Sequence, residues 1–264
     1  MLEIKNVTKI FNAGTVNEKV ALDNISLTLE DGDFVTVIGG NGAGKSTLLN
    51  TVAGTYPVDA GSISIDGTDI TKLPEYARAK FIGRVFQDPM TGTAADMWIE
   101  ENMAIAMRRG KSRGLGWAIH DSERKLFAEK LARLDLGLES RLSTKVGLLS
   151  GGQRQAITLL MASMNNPKLL LLDEHTAALD PKTAAKVLEI TREIGEEEQL
   201  TTLMITHNMK DAISHGNRLI MMSAGKIILD VKGEAKSKLT VEELLAEFAK
   251  AGSDGAANDR MLLI

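Results

Sequence analysis

Hydrophobic and polar positions follow two rhythms along this chain. Residues 2–11 and 21–29 carry a strand rhythm. In the second, Leu22, Ile25, Leu27 and Leu29 recur before the turn Glu30-Asp31-Gly32. Residues 34–38 are a continuous run rich in β-branched side chains, the mark of a strand covered on both faces in a parallel sheet. A glycine-rich loop and a helical run over 45–53 come next, and strands are predicted over 62–65 and 82–86. Between 95 and 164 the spacing turns helical, with Met103, Ile105 and Met107 and then Leu126, Leu131 and Leu134. A turn-rich basic stretch over 108–114 interrupts it. Strand and helix then alternate again: a strand at 169–172, a helix at 181–198, a strand at 203–206, and a hairpin of 218–222 with 226–231 around Ala224-Gly225. An amphipathic helix over 241–250 leads into a tail rich in Gly, Ala, Asp and Asn that is expected to fray.

This order predicts a three-layer α/β core with right-handed crossovers and a largely parallel sheet, with ligands at the carboxyl ends of its strands. The helical stretch splits that core. The expected division is a core made of 1–94 and 165–235, a helical block at 95–164, and a terminal helix and tail at 236–264. Composition acts by exclusion. Hydrophobic residues at 44% and charged residues at 25% exclude a mostly disordered chain. With 31 Lys and Arg against 35 Asp and Glu, the net charge of -4 speaks against a nucleic-acid partner. The chain has no cysteine, which removes disulfides, thiolate metal sites and cysteine nucleophiles. The first residues lack the apolar core of a signal peptide, and no apolar run approaches the roughly 20 residues that span a bilayer. A soluble, cytoplasmic chain is expected, with any membrane work done by another chain.

The strongest chemical signal follows the strand at 34–38. Gly39-Gly40-Asn41-Gly42-Ala43-Gly44-Lys45-Ser46 fits G-x-x-x-x-G-K-[ST] between a strand and a helix. Glycines let backbone N–H groups curl around phosphate oxygens. The helix that starts near Lys45 turns its positive end toward the anion. Lys45 can reach the β and γ phosphates and Ser46 can ligate Mg²⁺, with Thr47 beside it. A glycine-rich turn with a chance lysine is the plain alternative, and a random match in a chain this long is on the order of 1%. A second signal is the apolar strand at 169–172, which ends in Asp173-Glu174. Asp173 is placed to hold Mg²⁺ or its water, and Glu174 to orient or deprotonate an attacking water. A solvated acidic strand end is the alternative.

Between these lies Leu149-Ser150-Gly151-Gly152-Gln153, which by itself reads as a polar helix start capped by Ser150. With the two sites around it, the chain resembles the ATP-binding-cassette (ABC) ATPases, whose signature is LSGGQ, and the resemblance runs over about 1–231. It implies a P-loop, RecA-like core with an antiparallel β subdomain and an inserted α-helical subdomain that carries the signature. It also implies that Phe11, which lies 28 residues before Gly39, stacks on adenine. Gln87 matches a glutamine that senses Mg²⁺ and the γ-phosphate, Asp180 a loop that crosses a dimer seam, and His207 a histidine that hydrogen-bonds the γ-phosphate. Two positions depart from the family pattern. Phe11 stands where tyrosine is commoner. His175 follows Glu174 where the family commonly has proline, and reads as a surface variant or as a perturbation of Glu174.

The resemblance implies ATP sandwiched in a head-to-tail pair, either two copies of this chain or one with a related ATPase. Lys45, Ser46, Gln87, Glu174 and His207 of one chain would face the signature of the other, Ser150 and Gly152 in particular. It further implies an integral-membrane permease, a solute-binding protein and a station on the inner face of the cell membrane. Import, loosely of tryptophan or other aromatic amino acids, is the leading expectation. Export, or a non-transport process such as cell-wall remodelling or division, is the alternative. Met90, Met97, Met103 and Met107, with Trp98, read either as an adaptable groove for a partner helix or as core packing. The basic stretch over 108–113 reads as a solvated loop, or as a surface facing lipid headgroups or acidic permease loops.

Overall fold

The computed structural model describes residues 1–111 and 119–251. Its first strands are β1 (Leu2–Phe11), β2 (Lys19–Leu29) and β3 (Phe34–Gly39), with helix α1 (Lys45–Ala53) after the glycine loop. Strands β4 (Ala60–Ile65) and β5 (Thr68–Asp69), the short helix α2 (Glu75–Arg78) and β6 (Ile82–Val85) complete the amino-terminal part. The helical stretch contains α3 (Ile99–Met107), α4 (Asp121–Ala132), a 3-10 turn (Val146–Leu148) and α5 (Gly151–Ser163). Then come β7 (Leu169–Asp173), α6 (Pro181–Glu197), β8 (Thr202–Ile205), α7 (Met209–Ser214), β9 (Arg218–Ser223), β10 (Lys226–Lys232), α8 (Glu234–Ser237) and α9 (Val241–Ala251).

Among the described residues the strands form two sheets. The smaller has the order β2-β1-β4-β5 and is antiparallel. The larger has the order β10-β9-β3-β8-β7-β6 and is parallel except for the β9–β10 hairpin. The central strands serve two cores at once because successive side chains point to opposite faces. Leu169 and Leu171 of β7 join the core against α1 and the smaller sheet, whereas Leu170 and Leu172 join the core against α3, α4, α5 and α6. This explains the unbroken run of leucines. The parallel order brings the ends of β3, β7 and β8 side by side, and from those ends project the glycine loop, Asp173-Glu174 and His207.

Of the two readings of the methionines in the helical stretch, core packing is the one that holds at Met103 and Met107. Met103 is fully buried in the core formed with Phe127, Leu131 and Ile157, and Met107 packs against the same core. Only Met90 and Trp98 of the proposed groove residues are well exposed. Met103→Ala is therefore expected to lower unfolding free energy by about 2–5 kcal/mol, as read by denaturant titration; unchanged stability would return Met103 to the surface. The start of the basic stretch is internal as well. Arg108 donates to Glu123 (2.8 Å) and to the Ala104 carbonyl (3.0 Å), and the half-buried Arg109 donates to the Ala162 carbonyl (3.0 Å). These two arginines, partly buried, brace the helices, while Gly110 and Lys111 after them are exposed. The rest of that stretch, from 112, and the tail from 252 lie outside the described residues.

Candidate nucleotide site

The glycine loop is shaped by what surrounds it. Gly44 precedes α1 with φ 103°, and a Cβ there would stand 2.5 Å from the Ala21 carbonyl oxygen. Only glycine fits both that backbone and that gap. The loop borders a cavity of about 330 Å³ lined by Phe11, Lys19, Ala21, Asn41, Gly42, Ala43, Gly44, Lys45, Ser46, Thr47, Glu174 and His207. Lys45 is 5% exposed and donates to the Gly39 and Gly40 carbonyls at 2.7 and 3.1 Å.

Glu174 and His207 meet across the mouths of β7 and β8, with His207 Nε2 2.5 Å from Glu174 Oε1. The Glu174 N–H donates to the Ile205 carbonyl (3.1 Å), which pins it to β8. Its backbone is left-handed, with φ 47°. For a residue with a Cβ this is a sparsely populated conformation of the kind found at functional sites. Asp173, one residue earlier, is largely buried, and Arg84 Nη2 lies 4.0 Å from its Oδ2. Burial and the adjacent Glu174 push the Asp173 carboxyl above its ordinary value, while Arg84, Lys45 and His207 pull it back.

Phe11 lines one end of the cavity, held edge-on by Tyr56 at 5.3 Å between ring centroids, with the Lys9 ammonium 5.5 Å from its centre. Gln87 stands exposed just beyond β6 and does not line this cavity. The signature lies apart as well. Ser150 caps α5, accepting the Gln153 N–H (3.3 Å), and Gln153 returns a side-chain oxygen to the Ser150 N–H (3.3 Å). Gly152 faces α6 so closely that a Cβ would meet Thr183 Cγ2 at 1.9 Å. Asp180 caps α6 by accepting the Thr183 N–H (3.2 Å), which holds its carboxyl below the usual range. One chain thus gathers Phe11, the glycine loop, Lys45, Ser46, Thr47, Glu174 and His207 in one cavity, and leaves Ser150, Gly151, Gly152, Gln153 and Asp180 outside it.

His175 is neither a surface residue nor a partner of Glu174. It is 2% exposed, and its Nε2 lies 3.0 Å from Thr191 Oγ1 under α6. The Thr191 hydroxyl donates to the Val187 carbonyl (2.8 Å), so its oxygen accepts from a His175 Nε2–H. Burial, helped by nearby His215, lowers the His175 pKa to about 4. The buried ring is neutral at pH 7. Because its folded-state value lies below the ordinary 6.5, the unfolded chain binds the extra proton, and the stability from a neutral His175 falls as pH drops from about 6.5 toward 4. The loss approaches about 3 kcal/mol at its acid limit. His175→Gln is expected to flatten that slope in denaturant titrations run from pH 7 to pH 4. An unchanged slope would place the acid sensitivity elsewhere.

The family model described as "ABC transporter" matches residues 22–177, more than half of the chain. The chain belongs to the ABC transporter family. It is therefore an ATP-binding, ATP-hydrolysing cassette. The tyrosine transport ATP-binding protein of Clostridioides difficile is 47% identical over 251 residues, covering 95% of this chain and 100% of that protein. The methionine import ATP-binding protein MetN of Corynebacterium diphtheriae is 36% identical, covering 86% of this chain and 64% of its own length. A solved dimeric cassette in a post-hydrolysis state, bound to ADP and Pi, superposes with a TM-score of 0.75 at 31% identity, over 88% of this cassette and 98% of that chain. A second cassette, in an ADP conformation, gives a TM-score of 0.77 at 28% identity, over 94% and 98%. The RecA-like P-loop fold expected from the motifs is thus the observed one.

Three residues that bear on the cassette's site escaped the motif reading. Lys19 brings its ammonium within 3.3 Å of where a Gly42 Cβ would stand and lines the same cavity. Nothing in the sequence around it marks that position. Fully buried Gln155, just after the signature, donates to the Phe86 carbonyl (3.1 Å) and so ties α5 to the segment that leads to Gln87. Arg84 is the third. A charge inside the otherwise apolar Ile82-Gly83-Arg84-Val85 was its available signal.

Proposed function

We propose that this cassette drives uptake of amino acids, aromatic ones such as tyrosine in particular, through a separate integral-membrane permease fed by a solute-binding protein. It works at the inner face of the cell membrane. The observation that carries the proposal is the cavity uniting the glycine loop with Glu174 and His207, in a chain 47% identical to a tyrosine transport ATP-binding protein. Import is supported further by the methionine and polyamine import relatives.

In this reading, Phe11 stacks on adenine. The N–H groups from Gly39 to Ser46, with Thr47, cradle the phosphates, and Lys45 exchanges its loop carbonyls for β and γ oxygens. Ser46 and Asp173 would hold Mg²⁺, joined by Gln87, which stands outside the cavity in the single chain. Among the described residues no three His, Cys, Asp or Glu side chains cluster into a closed metal site. That suits Mg²⁺, which is usually held by one or two hard oxygen ligands together with phosphates and water. The chemistry it would supply there is neutralisation of phosphate charge. Glu174 orients and deprotonates the attacking water, and His207 steadies both Glu174 and the γ-phosphate end. The partner chain, a second copy or a related cassette, supplies Ser150, Gly151, Gly152 and Gln153 at the positive end of its α5, and Asp180 at the seam. A solved relative described as dimeric supports the pairing of two cassettes. Residues 95–164 then move as an arm that meets the permease. The groove beside Phe86, Gly92 and Ile105 replaces the methionine cluster as the docking place.

The test is turnover by the cassette and its permease in vesicles supplied with solute-binding protein. Tyrosine added on the binding-protein side is expected to raise ATP hydrolysis, with methionine and spermidine without effect. Stimulation by methionine or spermidine alone would remove the aromatic assignment. No response to any solute would favour a non-transport role.

A further inference from the structure

Arg84 belongs to no recognised motif, yet it lies between the two elements that carry the proposed metal ligands. In the parallel pairing of β6 with β7, Arg84 sits beside Leu171. Its side chain therefore shares a sheet face with Leu171 and, two residues on, with Asp173. That face is covered by α1. There Arg84 Nη2 donates to Asn50 Oδ1 (2.7 Å) and lies 4.0 Å from Asp173 Oδ2. Asn50 is four residues after Ser46, so the two share one side of α1. A single guanidinium thus hydrogen-bonds the helix one turn past Ser46 and stands at the outer limit of an ion pair with the strand end at Asp173.

The rest of the guanidinium is committed in the opposite direction. Nη1 donates to Thr55 Oγ1 (3.1 Å) and lies 3.9 Å from Glu75 Oε1, and the ring of Phe86 lies 4.4 Å from the guanidinium carbon. The buried Nε has no hydrogen-bond partner. Desolvating a cation and leaving one donor unmatched is costly, and an apolar side chain would fill the same place without that cost. Simple packing does not account for an arginine here. Its planar fork, which lysine lacks, suits simultaneous hydrogen bonds to an amide and a hydroxyl, with two carboxylates 3.9 and 4.0 Å away.

The geometry points to Arg84 as a positioning residue for the metal end of the nucleotide site: it fixes the spacing between Ser46 on α1 and Asp173 on β7, and so sets how readily Mg²⁺ joins bound ATP. This rests on the reading of Ser46 and Asp173 as Mg²⁺ ligands. Groups that orient metal ligands without touching the metal are typically worth 10–100-fold in metal affinity.

The experiment titrates Mg²⁺ into the full chain holding a fluorescent ATP analogue, beside nucleotide affinity measured in EDTA and steady-state turnover. For Arg84→Met, affinity in EDTA is expected to stay within about twofold, while the Mg²⁺ needed for half-maximal response rises by about 10–100-fold. Arg84→Lys is expected to fall between. An unchanged Mg²⁺ requirement in Arg84→Met overturns the assignment. So does an equal loss of affinity with and without Mg²⁺, which would mark Arg84 as a brace of the fold alone. If Arg84→Met does not fold, Arg84→Gln and Asn50→Ala take its place with the same expected and overturning outcomes. Asp173→Asn separates the two levels. If it leaves the Mg²⁺ requirement unchanged, the metal reading itself falls. If it raises the requirement while Arg84→Met does not, only the role of Arg84 falls.

Discussion

Glu174→Gln is expected to cut ATP turnover by about 10²- to 10⁴-fold, the usual worth of a positioned general base. The carboxylate sits in the right company: it lines the cavity beside the glycine loop, meets His207 Nε2 at 2.5 Å and is pinned to β8 through its own N–H. Glutamine keeps the shape and a hydrogen-bonding oxygen for His207, so the fold and the ATP cavity are expected to survive. The missing function is the acceptance of a proton from water. Phosphate release, with nucleotide binding measured on the same sample, separates the effects. Turnover near that of the parent chain would transfer the water to another group, with Asp173 the nearest carboxylate in sequence.

Lys45→Ala is expected to have the largest effect on nucleotide grip. Lys45 is buried against the loop carbonyls of Gly39 and Gly40, already placed within the cradle. A hydrogen bond to a charged group is worth about 1.5–3 kcal/mol. Losing one such bond to phosphate weakens ATP binding by roughly 10- to 100-fold. Equilibrium titration with a fluorescent ATP analogue measures this, and the melting temperature shows whether the loop survives. Undiminished affinity would mean that the loop N–H groups and Lys19 hold the phosphates without Lys45.

What was legible in the sequence is what short segments decide for themselves. The strand at 34–38, the glycine loop and α1 are contiguous, and the conformations Gly44 must adopt are written into its lack of a side chain. The four leucines before Asp173 read as a buried strand, and alternate leucines enter different cores. The hairpin at Ala224-Gly225 was equally local, as was the helix start at Ser150. Residues whose meaning depends on distant neighbours were read less well. Met103 and Met107 share a helix face whether that face meets core or partner; the packing of α4 and α5 decides it. His175 occupies a loop position that looks exposed until α6 covers it and Thr191 accepts its N–H. Arg84 gains its role only when β6 pairs with β7 and α1 lies across both, joining residues far apart in the chain.

The claim on which the mechanism turns is that one chain holds half a catalytic site. The glycine loop, Lys45, Glu174 and His207 line one cavity, and the signature from Ser150 to Gln153 does not reach it. In the proposed mechanism closure around ATP needs a second cassette, and a variant that binds but does not hydrolyse should remain closed. Sedimentation velocity of Glu174→Gln with ATP and Mg²⁺, against ADP and against nucleotide-free protein, tests this most directly. A dimer that forms with ATP, is absent with ADP, and is lost when Ser150→Arg is added is the expected result. A chain that binds ATP with parental affinity yet sediments as a monomer at every nucleotide condition would contradict it.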